Sequence, residues 1–284
     1  MDHAWRAAQL AARRWRLPFS RQAWRGGPVG NWLGVGAGSS LDFQDHRAYA
    51  PGDDPRHIHW AAYARTGQLT MKLYRAEVSP VVDVAVDVSG SMALTPEKLR
   101  RADELAAFCV ASADRAGAAC RVHAVDGARV HAVATAEVRS GRWRERLPPA
   151  AAGGVAPRFA LWRAGALKVL ISDLLYPGDP ATLLSPLAAG AGVAVVFAPA
   201  LEEEARLGWR GNADVLDCES DARRRQRADD SLAARYAAAY TRHFQLWREA
   251  ARRKGVLLAS VPAVGELRAV LAGAARSAGA VEPA

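Results

Sequence analysis

"VVDVAVDVSGSM" (Val81–Met92) is the stretch on which the reading of this chain turns. Its run of valines and alanines reads as a buried strand. The strand then stops on Asp87, Ser89 and Ser91, three oxygen-bearing side chains at every second position. Alternate residues of an extended segment share a face, so the three can converge on one point. One carboxylate and two hydroxyls are hard ligands suited to Mg²⁺ or Mn²⁺. The competing reading is a loop whose Ser and Asp side chains merely cap the next helix. A second apolar strand, "KVLISDLL", also ends on oxygens, Ser172 and Asp173. In an open parallel sheet, ligands collect at the carboxyl ends of the strands near a topological switch point. Two such exits side by side would bring two carboxylates to one cation, directly or through water.

Around Val81 the text alternates strand and helix. "TPEKLRRADELAAFCVASADRAG" predicts a helix with Thr95 as N-cap, Pro96 at its first position and Gly117 near its stop. "ACRVHAVDG", "ARVHAVATAEV", "VAVVFAPA" and "VLLASVP" read as further strands. "PATLLSPLAAGAG", "SLAARYAAAYTRHFQLWREAARRKG" and "GELRAVLAGAARSAG" read as helices, and "AVEPA" as a frayed end. This rhythm predicts an α/β fold, a doubly wound and mainly parallel sheet covered on both faces. Upstream, residues 1–40 read as a basic helix broken at Pro18 and a Gly-rich loop, "GGPVGNWLGVGAGSS", that lacks the Lys-Ser/Thr of a phosphate loop. Residues 41–78 read as a β-rich arm. Its "HIHWAAYAR" and "QLTMKLYRAEV" alternate as half-exposed strands do, with "YAPGDDP" and "RTGQ" as turns. Residues 79–284 form the main domain of this scheme.

Composition narrows the functional classes. The 284 residues contain no run of about 18 uncharged apolar residues, so no transmembrane helix is expected. The Arg-studded N-terminus does not read as a secretory signal, and a cytoplasmic location is expected. Cys109, Cys120 and Cys218 are too few and too scattered for a disulfide framework or a zinc cluster. Lys and Arg number 38 against 29 Asp and Glu, a net charge of +9. Arg-rich stretches such as "DARRRQRADD" fall in expected loops and helix faces. No interleaved aromatics accompany them, which argues against nucleic acid as a partner.

With those residues in hand, a family resemblance becomes visible. "DVSGSM" after a buried strand resembles the metal-ion-dependent adhesion site of von Willebrand factor type A domains. "SSLDFQDHRAYAPGDDPRHIHWAAYARTGQLTMKLYRAE" resembles the signature of the bacterial domain of unknown function 58 family, and the likeness runs from about residue 26 to 272. It implies a von Willebrand factor type A-like domain in which Asp87, Ser89, Ser91 and Asp173 hold the metal. It also implies a MoxR-type AAA+ ATPase and its client protein as partners. Val155, in "AAGGVAPRF", stands where the family carries a Thr ligand, so weak Mg²⁺ or Mn²⁺ binding is expected. His59 replaces a more usual Asp, and on one strand face with His57 it lacks the third ligand a metal would need.

Three functions compete on this reading. The first is a metal-dependent protein-binding module rather than an enzyme. It is favoured because no nucleophile elbow, HExxH or Ser-His-Asp context surrounds the site. The second is a phosphatase-like hydrolase that uses the cation as Lewis acid. The third is a peripheral binder of anionic surfaces, including membranes, through the basic segments.

Overall fold

The computed structural model describes residues 3–22, 32–127, 129–148, 162–218, 220 and 222–284. Residues 1–22 and 81–284 pack as one compact unit, and residues 23–80 as another.

Short range first: each main helix begins where a side-chain oxygen can take an orphan N–H. Thr95 accepts from Lys98 N at 3.3 Å and opens α3, Pro96–Arg115, with Pro96 in the first turn. Asp179 opens α5, Pro180–Ala188, and Asp229 opens α6, Asp230–Lys254, which stops at left-handed Gly255. The shorter helices of this unit are α1 (His3–Ala12), α4 (Thr135–Ser140) and α7 (Leu267–Val270), the last continuing as a π turn to Ala275. In the other unit, α2 spans Trp60–Thr66.

The strands in chain order are β1 Trp15–Arg16, β2 Trp32–Ala48, β3 Thr70–Val78, β4 Val81–Asp87, β5 Ala119–Asp126, β6 Arg129–Val133, β7 Leu167–Ile171, β8 Ala194–Ala200, β9 Gly211–Leu216, β10 Arg223–Ala228, β11 Leu257–Pro262 and β12 Glu282–Pro283. Six of them form the central sheet in the order β11-β8-β7-β4-β5-β6. Every pairing is parallel except β5 with β6. The expected mixed α/β class with a mainly parallel sheet is therefore what the chain adopts. From β4 the chain goes outward through β5 and β6, then returns to β7 on the other flank and continues through β8 to β11. The switch point falls between β4 and β7, and strand-end ligand sites form at such points.

One face of the sheet packs Ala85, Val125, Leu170 and Val196 against Leu183, Leu184 and Leu187 of α5 and Phe244 and Trp247 of α6. α3 lies over β4, β5, β7 and β8, and α1 packs on α3. The polar residue inside β4 is Asp83, which is fully buried. It accepts from Arg163 N at 2.7 Å, Arg163 Nε at 2.8 Å and Arg121 Nε at 3.2 Å. Burial pushes its carboxyl pKa up, but the two guanidiniums outweigh burial and hold it below the usual range. A pKa lowered by folding adds stability that is complete above pH ~4 and is lost as pH falls through the folded value. Asp83→Asn is expected to cost about 2 kcal/mol at pH 7 and to flatten stability below pH ~4. Urea titrations across acid pH check this; an unchanged acid limb would assign the loss to other carboxylates.

Several local expectations are corrected. The Gly-rich stretch was expected to be a loop, yet from Trp32 onward it is strand β2, antiparallel to β3 with register shifts that absorb its extra residues. "HIHWAAYAR" is not a half-exposed strand. His59 Nδ1 accepts from Ala62 N at 3.1 Å and starts α2, which ends at left-handed Gly67. Because His59 is a helix cap, it shares no strand face with His57. The two aspartates of "PGDDP" have separate tasks: Asp53 takes the Arg47 guanidinium and Ala50 N, while Asp54 caps the 3-10 turn Pro55–His57. The chain end is not frayed. Ala280 and Val281 are buried, β12 pairs with β1, and Glu282 accepts from Arg16 Nε at 2.9 Å. "DARRRQRADD" contributes strand β10 rather than a loop or helix face.

Candidate metal centre at the β4 and β7 strand ends

Asp87 is the last residue of β4, and β4 lies directly beside β7 in the sheet, so its neighbour's exit, Ser172 and Asp173, emerges at the same edge. Asp87, Ser172 and Asp173 are all at most 2 % exposed. Asp87 Oδ1 accepts from Ser89 N at 2.9 Å, which turns the chain immediately after the strand. Ser89 Oγ and Ser91 Oγ lie 3.2 Å apart and share a hydrogen bond. On its other oxygen, Asp87 accepts from Ser172 Oγ at 2.8 Å and from the Tyr176 hydroxyl.

Among the described residues, Asp87 thus accepts from neutral donors. Burial pushes its pKa up to about 6, the charge of Asp173 adds to the rise, and these hydrogen bonds hold it back. Asp173 has a cationic partner. Lys98 Nζ sits 2.7 Å from Asp173 Oδ2 and 2.5 Å from Glu204 Oε1, with the lysine side chain fully buried. Burial pushes the Lys98 pKa down, but Asp173 and Glu204 outweigh it and the ammonium is stabilised. A lysine in the first turn of a helix opposes the helix dipole. Its position in α3 is explained by this bridge. Asp173 Oδ1 accepts from Leu175 N at 3.1 Å. Leu174, between them, is buried with φ of 62°, a left-handed conformation that branched aliphatic residues avoid. The hydroxyl of Ser172 accepts from Leu174 N at 3.1 Å and braces this turn.

Asp87 and Asp173 therefore stand at one edge of two adjacent strands, and Ser89 and Ser91 follow on the turn after Asp87, Ser91 within the 3-10 turn Gly90–Ala93 rather than on an extended segment. The donor set of Asp87, Ser89 and Ser91 fits a hard divalent cation, because every donor is oxygen and, among the described residues, the partners of Asp87 are neutral. Asp173 is already engaged by Lys98, which makes it an outer contributor of charge. Among the described residues, no three His, Cys, Asp or Glu side chains gather as metal ligands. Val155 lies outside the described residues, so the turn expected to lack an oxygen has no structural account. Sequence reasoning missed Lys98, Glu204, Tyr176 and the Leu174 turn. Only Lys98 left a trace, as a cation at a helix start.

Residues 45–141 match the family described as Protein of unknown function DUF58, which bears out the resemblance to the domain of unknown function 58 family. No curated protein matches the chain. Among solved structures, the conserved hypothetical protein BatB from Bacteroides thetaiotaomicron is 13 % identical, with a TM-score of 0.39, covering 71 % of this chain and 99 % of its own. An aerotolerance-related membrane protein from Bacteroides fragilis, carrying multiple mutations to serines, is 15 % identical, with a TM-score of 0.38 and the same coverages. Similarity at that level carries no argument about what this chain binds. Among the described residues, no helix is long and apolar enough to cross a membrane.

Proposed function

We propose that the chain is a metal-dependent protein-binding module of von Willebrand factor type A-like architecture. In this reading Asp87, Ser89 and Ser91 hold Mg²⁺ or Mn²⁺, and Asp173 adds negative charge from β7. The cation would supply a Lewis-acidic point of attachment. An acidic side chain of a partner protein would dock there. What supports the reading is one observation: the buried carboxylate of Asp87 ends β4 at the switch-point edge, and the turn it holds carries the paired hydroxyls of Ser89 and Ser91. The family resemblance supplies the partner class, a MoxR-type AAA+ ATPase for which the chain would act as adaptor to a client.

Metal and partner should then reinforce each other, and linkage makes the effect reciprocal, on the order of 5- to 150-fold. Calorimetric titration with Mg²⁺, alone and with the ATPase, tests this. Wild type should give heat that Asp87→Ala abolishes, and the ATPase should bind more weakly in EDTA. No Mg²⁺ heat, together with partner binding indifferent to EDTA, would sink the metal reading. Phosphoester turnover that vanishes in Asp87→Ala would replace a binding module with a hydrolase.

A further inference from the structure

The hairpin of β9 and β10 takes no part in the strand-end site. It is a two-stranded antiparallel sheet, and among the described residues no further strand extends it. Residues directly opposite each other in an antiparallel pair point to the same face. The register therefore puts Arg223 with Leu216, Arg225 with Asp214 and Arg227 with Asn212 on one face. Arg224 with Val215, Gln226 with Ala213 and Ala228 with Gly211 are on the other. Ala228 is buried and Ala213 and Val215 are half-buried, whereas Arg224 and Gln226 stay exposed, so this second face is partly covered. The first is open: Arg223, Arg225 and Arg227 are all exposed, and Leu216 is 53 % exposed.

Three guanidiniums thus line one face at intervals of about 7 Å, two residues of extended chain. Asp214 is the carboxylate on that face. It lies 3.8 Å from Arg225, with both side chains largely in solvent, where such a pair contributes little. Like charges in a row oppose strand formation. A hairpin that served only as a connector would be more stable with Thr or Val in those places.

We infer that the open face and edge of β10 form a docking surface for an extended acidic segment of a partner protein, with carboxylates at alternate positions. A peptide strand added to the β10 edge would meet main-chain donors and acceptors, and its side chains would repeat at the same two-residue period. Opposite charges would then fall into register across the strands. A nucleic acid would match the charge but finds no aromatic side chain on this face to stack a base. The inference stands on the hairpin alone and is independent of the metal.

The test is fluorescence anisotropy in EDTA at low ionic strength. The probe is a labelled peptide of alternating Glu and Thr. A peptide of the same composition with its Glu residues in one block, a single-stranded oligonucleotide of equal charge and anionic vesicles serve as comparisons. The full-length protein carries Arg223→Gln, Arg225→Gln and Arg227→Gln together, or Arg242→Gln, Arg252→Gln and Arg253→Gln as a charge-matched control on exposed positions of α6. Thermal melting confirms that both remain folded. The alternating peptide should bind wild type, lose at least about tenfold in affinity with the hairpin triple and change less than about threefold with the control. N-methylation of alternate peptide nitrogens should weaken it comparably. Four results would overturn the inference: no binding by the alternating peptide, equal binding by the blocked one, equal losses in the two triples, or tighter hairpin-dependent binding of the oligonucleotide or vesicles.

Discussion

Lys98→Met is expected to lower the thermal midpoint of the main unit by roughly 10 °C. The bridge from Lys98 to Asp173 and Glu204 is buried at both the lysine and the aspartate. Removing one partner of such a group leaves the others as uncompensated buried charge, which costs about 3–5 kcal/mol. A domain of 150–250 residues loses about 2–4 °C for each kcal/mol. Glu204→Gln should cost less, because that carboxylate is partly exposed and Asp173 keeps its cation. Under the proposed function, Mg²⁺ should restore part of the loss in Lys98→Met, and should bind that variant more tightly than wild type, since the lysine no longer answers the charge of Asp173. Differential scanning calorimetry with and without Mg²⁺ reads both effects. An unchanged midpoint would show the bridge to be energetically idle. A lowered midpoint that Mg²⁺ does not move would argue against a cation at this edge.

The behaviour of Lys98 also marks how far the sequence could be read. Strands β4, β7 and β8 of the central sheet were visible because each is a short apolar run bounded by turn residues, and the alternation of strands with helices leaves few topologies. Asp87, Ser89 and Ser91 were visible because a spacing of two is a local property, and Asp173 because it closes a second apolar run. Nothing local predicts that the amine of Lys98, 75 residues before Asp173, reaches it. Tyr176 meets Asp87 only once β7 lies beside β4, and Glu204 meets Lys98 only after the chain has passed through β8. The α2 segment was misread for a different reason: seven residues are too short for a helical period to be distinguished from alternation, and His59 is a weaker cap signal than Ser or Asp. The long β2 was missed because glycines carry no side-chain pattern, and its pairing with β3 is set by tertiary context.

Asp87→Asn is expected to stabilise the metal-free protein at pH 7 while removing its response to Mg²⁺. The Asp87 carboxyl titrates near pH 6 in the folded chain, pushed up by burial and then by Asp173. Its unfolded value is near 4. Between these values the folded state binds the proton and the unfolded state does not, so stability falls as pH rises through that window. About two pKa units correspond to roughly 3 kcal/mol lost by pH 7. The amide has no charge to bury. Its oxygen can still accept from Ser89 N, and the hydroxyls of Ser172 and Tyr176 can rotate to accept from its nitrogen. In EDTA, wild type should therefore be less stable at pH 7 than at pH 5, with Asp87→Asn nearly level across the same range. With Mg²⁺ the order should reverse at pH 7, because a cation favours the ionised carboxylate and has no such hold on the amide. Chemical denaturation at the two pH values, with EDTA or Mg²⁺, contains the whole test. A wild type that gains nothing from Mg²⁺ at pH 7, yet is relieved by the amide, would make Asp87 a purely structural burden on β4. A wild type with no loss between pH 5 and pH 7 would mean that the neutral donors around Asp87 already suffice to hold its charge.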